Sequence, residues 1–370
     1  MFEANAGAGA VLRLIRDARA TTRSQLTLKT GLSRSTLAER VHSLLTLGLV
    51  HEANGASTGG RPPATLEFNP TAGVVLAATL GPTFCRVVVC NLGAVPIVER
   101  TYEGTMMDPR AVRTYLQATL EHAQVPAERV WAVGIGAGAD DEVAIREGLP
   151  RLHEAPVLVD RHVNLRALAE HWTQWRAIDH LLYVSVGSTI ECGIVSGGRV
   201  HRGARGAAGG IGHIGVPGHA DVPCVCGNTG CLEAVVGGRA LAEQLRAVGL
   251  EASSPADVAA LAQAGSGEAV RAVREAGRAV GEVLAACVNF YNPGAVVLGG
   301  ELAGASQHLL TGLRETAFAR SLPMATRDLV VSPTRLGEEA STTGAAVMAI
   351  EHVLAEEYVD RIVHHRDNGS

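Results

Sequence analysis

The stretch Cys224-Val225-Cys226-Gly227-Asn228-Thr229-Gly230-Cys231-Leu232-Glu233, preceded by His213, carries the strongest chemical signal in the chain. One histidine and three cysteines supply a closed tetrahedral shell for Zn²⁺, and soft thiolates favour zinc over magnesium or calcium. Gly227 and Gly230 let the loop fold tightly enough for three sulfurs to converge. The expected ligands are His213, Cys224, Cys226 and Cys231, with His219 a rival for the histidine place. Four protein ligands leave no open coordination position, so the expected metal is structural. The remaining cysteines, Cys85, Cys90, Cys192 and Cys287, lie scattered in apolar segments and read as buried free thiols, not as a disulfide framework.

Downstream and upstream of this loop, strands and helices alternate from Gly73 onward. Val74–Ala78, Cys85–Asn91, Val130–Ile135, Leu181–Val186, Cys192–Ser196, Val296–Gly299 and Leu329–Val331 read as strands. Ala111–Ala123, Asn164–Trp175, Arg239–Val248, Pro255–Ala264, Ala269–Tyr291 and Thr343–Leu354 read as helices. That alternation predicts an α/β body over residues 71–358. A weak similarity between the segments near 74–91 and 181–200 suggests two related halves. Residues 359–370 read as a polar, frayed tail.

The first 70 residues have a different grammar. Val11, Leu12, Leu14 and Ile15 form an apolar stripe, and Ser24–Thr30 forms a second short helix. Gly31 then suits a left-handed helix end, and Ser33 is an N-cap for a third helix to about Leu45, with Leu37, Val41, Leu44 and Leu45 inward. Gly48–Glu52 and Thr65–Phe68 flank a Gly/Ser/Thr-rich hairpin tip. Helix, glycine turn, capped helix and hairpin predict a winged helix-turn-helix over residues 1–70. This head holds eight Arg and Lys against five acids, +3 in a chain of net −5, so the rest carries −8. A basic head on an acidic body suits phosphate contact, although surface charge also varies by chance.

The 370 residues, 47% hydrophobic and 19% charged, are ordinary for a globular protein with two or three domains. No apolar run reaches the roughly 18 residues of a membrane span, and the start does not read as a signal peptide. The expected location is cytoplasmic.

The residues as a set resemble the ROK family of repressors, open reading frames and sugar kinases, over about residues 9–350. The head carries Ser33-Arg34-Ser35-Thr36-Leu37, Gly48-Leu49-Val50 and Gly60-Arg61-Pro62 in the order seen in the repressor branch. The body carries Arg202-Gly203-Ala204, Gly212-His213, the zinc signature, Tyr291-Asn292-Pro293, Val297-Leu298-Gly299-Gly300 and Gly344-Ala345-Ala346. The resemblance implies an actin-like body of two ribonuclease-H-like lobes around a cleft.

Family kinases phosphorylate sugars with ATP, and the matching positions here depart from their pattern. Thr79-Leu80-Gly81-Pro82-Thr83 stands where the first phosphate turn reads Asp-x-Gly-x-Thr. Gly187-Ser188-Thr189-Ile190-Glu191 stands for Gly-Thr-Gly-Ile-Gly, which would set the Glu191 carboxylate beside phosphates. Arg161 and His162 replace the Asn-Asp pair that binds sugar and supplies the general base, a group worth roughly 10²–10⁴ in rate. Asp160 lies just upstream. Gly210-Ile211-Gly212-His213 replaces the sugar-binding Glu-x-Gly-His, while Glu233 matches a further sugar-binding glutamate. The chain is therefore expected to have no catalytic residues. Its expected ligand residues are Arg161, His162, His213 and Glu233, and the two cationic-capable groups suit an acidic or phosphorylated sugar.

The expected function is a DNA-binding transcriptional regulator whose effector is a sugar or sugar derivative; an ATP-dependent sugar kinase is the alternative. A recognition helix enters the major groove by its N-terminal end, which here presents Ser33, Arg34, Ser35 and Thr36, with Arg40 a turn later and Arg23 on the preceding helix. Arg34 suits guanine or a phosphate, and Arg61 suits a narrow A·T minor groove or an anchor at the domain junction. One head makes few contacts, so the expected partner is an inverted-repeat operator in double-stranded DNA, read by a homodimer or homotetramer.

Overall fold

The computed structural model describes residues 6–54, 64–104, 108–139 and 141–367. The hairpin tip and Arg61 lie outside the described residues. The chain divides into two units, residues 1–160 with 345–370, and residues 161–344.

The first unit opens with three helices, α1 (Ala8–Arg16), α2 (Arg23–Thr30) and α3 (Arg34–Thr46), then an antiparallel pair, β1 (Val50–Asn54) and β2 (Ala64–Phe68). Local chemistry fixes the α2–α3 turn. Thr22 and Gln25 form a reciprocal capping box at the start of α2. Gly31 takes φ +70° at its end, where a side chain would be strained. Ser33 then accepts the Thr36 N–H at 3.1 Å to cap α3. Val11, Leu12, Ile15, Leu26, Leu37, Val41, Leu44 and Leu66 are buried, whereas Leu45, expected inward, is half-buried.

A six-stranded sheet follows, built from β3 (Val74–Leu80), β4 (Phe84–Asn91), β5 (Pro96–Glu103), β6 (Val130–Ala137), β7 (Arg151–Leu152) and β8 (Ala155–Arg161), in the order β5-β4-β3-β6-β8-β7. Helices α4 (Pro109–His122) and α5 (Glu142–Gly148) connect its strands. Val112, Leu116 and Leu120 of α4 lie in one core with Leu76, Val87, Val89 and Ile135 of the sheet.

The second unit begins with α6 (His162–Thr173) and holds a five-stranded sheet: β9 (Leu181–Val186), β10 (Ile190–Ser196), β11 (Arg199–Val200), β12 (Ala295–Gly299) and β13 (Val330–Pro333), ordered β11-β10-β9-β12-β13. Its helices are α7 (Leu232–Val236), α8 (Gly238–Ala247), α9 (Pro255–Gln263), α10 (Gly267–Tyr291), α11 (Ser306–Arg320) and α12 (Pro323–Thr326). In each unit an antiparallel run is followed by a strand parallel to its first member: β3-β4-β5 with β6, and β9-β10-β11 with β12. The suggested pairing of halves near 74–91 and 181–200 thus has a topological counterpart. Gly277 and Gly281 of α10 face the α11 backbone so closely that a Cβ would lie 2.2 Å from Leu309 O and 2.5 Å from Leu313 O.

Two helices close the chain, α13 (Ala340–Val353) and α14 (Glu356–Asp367). The expected polar tail from residue 359 is corrected here. It is helical to Asp367, and Val359 and Val363, one turn apart, are buried. α14 lies against α1: Asp360 accepts the Gly9 N–H at 2.8 Å, and Arg13 pairs with Glu356 at 2.8 Å. Arg16 also pairs with Glu351 of α13 at 3.1 Å. The three-helix head therefore belongs to the first unit rather than standing apart from it.

Candidate functional site

The His/Cys cluster is assembled by tight turns. His213 ends a short 3₁₀ turn, Ile211–His213, and Cys231 immediately precedes α7. Gly227 and Gly230 adopt φ +89° and +69°. Val216 donates to Gly230 O at 2.7 Å, Leu232 to Ile214 O at 2.9 Å and Cys224 to Asn228 O at 2.8 Å, which holds the loop against the His213 segment. The ligand atoms of His213, Cys224, Cys226 and Cys231 all lie within 4.8 Å of one another. His213, not His219, joins the three thiols.

The donor set fits a tetrahedral cation. Cys224 Sγ lies 3.6 Å from His213 Nδ1, and Cys226 Sγ lies 3.6 Å from Cys231 Sγ. Zinc–sulfur bonds of about 2.3 Å give tetrahedral edges of about 3.8 Å. The Asn228 backbone N–H, foremost, brings the Cys226 thiol down to about 7, while burial and then the neighbouring sulfurs push Cys231 up to about 12. Crowded sulfurs oppose one another's ionisation, and a bound cation reverses that opposition. Asn228 Nδ2 lies 3.6 Å from Cys226 Sγ and supplies a second-layer donor. Of the other cysteines, Cys85, Cys90 and Cys192 are buried as expected; Cys287 is half-buried.

Of the expected ligand residues, His213 belongs to the cluster and Glu233 follows it directly, while Arg161 and His162 stand at the start of α6. Glu233, the second residue of α7, accepts the Ile190 N–H at 2.9 Å and so joins the zinc loop to the start of β10. Arg161 donates to Ala208 O at 2.8 Å and lies 3.8 Å from the Glu191 carboxylate. That pairing sets an acid beside Arg161, one of the two groups on which the expectation of an anionic ligand rests. His162 Nδ1 lies 2.9 Å from Ser341 Oγ, at the start of α13. Burial, foremost, raises the Glu191 carboxyl above its usual range. Arg161 opposes that rise, Glu233 adds to it, and Arg166 and His213 oppose it.

The two phosphate-turn segments take different forms. In the first unit, Gly81 to Thr83 make a plain hairpin turn, closed by Gly81 N–H to Phe84 O at 2.8 Å. In the second, Gly187 donates to Thr189 O at 3.0 Å, and the Ser188 N–H is taken by the Glu301 carboxylate at 2.5 Å. A Cβ on Gly187 would lie 2.6 Å from that carboxylate. The acid that meets this turn is therefore Glu301, which sequence reasoning missed, while Glu191 turns to Arg161. Asp160 is only 2% exposed.

On the head, Ser33, Arg34 and Ser35 are exposed at the N-terminal end of α3, and Thr36 is half-buried. The Ser33 hydroxyl is occupied as the helix cap, 2.9 Å from both the Ser35 and Thr36 hydroxyls. Arg23 pairs with Glu52 of β1 at 2.6 Å. Arg40 is half-buried, its Nε shielded from solvent. No helix of the described residues is long and apolar enough to cross a membrane.

These features define a class: a helical head carried on an α/β body with paired sheet topologies and a His/Cys₃ cluster. The ROK family pattern matches residues 137–352, and the chain belongs to the ROK family. It is 26% identical over 381 residues to the xylose repressor of Caldicellulosiruptor bescii, covering 93% of this chain and 95% of that protein. It is also 26% identical over 366 residues to the DNA-binding transcriptional dual regulator NagC of Escherichia coli K12, covering 86% and 88%. Among solved structures, a ROK family transcriptional regulator described as a homolog of the E. coli MLC protein superposes with TM-score 0.82 at 25% identity, over 96% of this chain and 98% of that one. The ROK hexokinase of Thermus thermophilus superposes with TM-score 0.64 at 28% identity, over 76% of this chain and 99% of the hexokinase.

Proposed function

We propose that this protein is a sugar-responsive transcriptional repressor that reads an inverted-repeat operator as a homo-oligomer. The observation that carries the proposal is the exposed end of α3. Ser33, Arg34 and Ser35 stand free of the core on a capped, glycine-turned helix pair, the form of a winged helix-turn-helix, and regulators in the family match this chain over its head as well as its body. The hexokinase likeness covers 76% of the chain. Arg34 and Ser35 meet the DNA directly, and Arg61 reaches an adjacent minor groove. Zn²⁺ on His213, Cys224, Cys226 and Cys231 is structural and fixes the loop that leads into α7, the helix that bears Glu233.

The kinase alternative is disfavoured by chemistry. Thr79 brings no negative charge where the family kinases carry an aspartate, and Glu301 occupies a backbone donor that a phosphate would use. The body then acts as a sensor and not as a catalyst. Footprinting of the promoter region nearest its own gene, with and without D-xylose or N-acetylglucosamine, tests the reading. A protected palindrome whose occupancy changes with one sugar supports it. No protection of any fragment at low salt, with sugar-dependent ATP consumption, refutes it.

A further inference from the structure

The start of β10 is gripped from two sides. Cys192 N–H donates to Gly209 O at 2.8 Å, and a Cβ on Gly209 would lie 1.7 Å from Cys192 O. A Cβ on Gly212 would lie 2.3 Å from Ile190 O, so segment 209–213 leaves no space between itself and the strand. Glu233 holds the Ile190 N–H from α7. Glu191 stands between these two anchored residues, on the one position of the three whose side chain is not buried. Its carboxylate is about one-third exposed, against 13% for its partner Arg161.

We infer that Glu191 is the residue that sets ligand charge: by holding Arg161 in an ion pair, it makes this site accept uncharged, hydroxyl-rich molecules and reject sugar acids and sugar phosphates. The inference rests on the reading that this part of the second unit binds a sugar. Two carboxylates, Glu191 and Glu233, accept hydroxyl protons, and the Arg161 guanidinium donates to hydroxyl oxygens. A polyol satisfies both kinds of group without bringing a charge of its own. An anion would have to take Arg161 from Glu191 and would leave that carboxylate and Glu233 facing like charge in a partly desolvated site. The Arg161–Ala208 hydrogen bond still holds the guanidinium when Glu191 is lost, so removing Glu191 takes away a negative charge that an incoming anion would face.

Calorimetry of the full chain with D-xylose, glucuronate and glucose 6-phosphate tests this in wild type, Glu191→Gln, Glu191→Ala and the double variant Arg161→Gln/Glu191→Gln. Thermal melting selects whichever single variant is folded. The expected result is that loss of Glu191 tightens glucuronate or glucose 6-phosphate binding about tenfold or more, and that adding Arg161→Gln abolishes the gain. The inference is overturned if neither anion binds more tightly to the single variants, or if the gain survives in the double variant. Failure of the sensing reading shows elsewhere. A wild-type protein whose operator binding ignores every neutral sugar refutes that reading, while the anion gain is scored independently.

Discussion

The carboxylate of Glu301 accepts the backbone N–H of Ser188 at 2.5 Å, across 113 residues of chain. A turn that would present bare N–H groups to a phosphate thus carries its own anion. Two like charges 4 Å apart repel by about 1 kcal/mol in water and about 4 kcal/mol at the effective dielectric of a protein surface. Incubation with MgATP and D-xylose, D-glucose or N-acetylglucosamine should release no ADP above background, as read by a coupled assay. Glu301→Ala should bind an ATP analogue more tightly than wild type, because the Ser188 N–H is then open to a phosphate. Sugar-dependent turnover by wild type would contradict this account.

Metal removal should loosen the loop that leads into α7 and Glu233. Elemental analysis is expected to find one zinc per chain, and Cys226→Ser or a strong chelator should lower the melting temperature. Ligand thiols bind as thiolates, so protons compete with the metal. Zinc should therefore be retained at neutral pH and released as acid protonates the thiolates, at a pH well below the range of the metal-free thiols, because the bound cation favours the thiolate form. Undiminished zinc content in the Cys226→Ser variant after exhaustive dialysis would count against thiolate ligation.

Gly9→Ala sets two effects against each other. In a helix interior alanine is favoured over glycine by roughly 0.5–1 kcal/mol. Here the new Cβ would lie 2.4 Å from both Cα and O of Glu356, backbone atoms that cannot swing aside. Overpacking of this kind costs about 1–3 kcal/mol, so the net sign is destabilising. Hydrogen exchange should show α1 and α14 losing protection together, and operator affinity should fall. A more stable variant would refute the packing described for this helix pair.

Arg34→Ala and Arg23→Ala should behave differently. Arg34 is exposed at the α3 end, whereas Arg23 is drawn onto Glu52. In gel-shift titrations Arg34→Ala should weaken operator binding by about 1–3 kcal/mol if it reads a base; if it holds a phosphate, it should lower the salt slope by about 1. Arg23→Ala should have the smaller effect. Ser33→Ala should cost about 1 kcal/mol of stability through the lost cap. Equal losses for both arginines would show that Glu52 does not divert Arg23.

Much of the site was legible because its signals are local. The cap at Ser33, the left-handed Gly31 and the cysteine spacing each act within a few residues, and the four metal ligands come together. What the sequence hid is long-range or unpatterned. β5 is exposed along most of both faces, so no alternation marks it. α14 buries a stripe as narrow as Val359 and Val363 within a charged segment, which reads as a tail. No neighbouring residue marks Glu301 as a partner of Ser188. The Arg161–Glu191 pair likewise joins two segments whose proximity only the folded second unit creates.

The bond from Gly9 to Asp360 spans 351 residues. A ribosome adds roughly 5–20 residues each second, so the head waits roughly 20–70 s for the helix it packs on. A chain cut short before α14 keeps Arg34 and Ser35 but lacks the helix on which α1 packs, and with it the Asp360 and Glu356 contacts that steady the head.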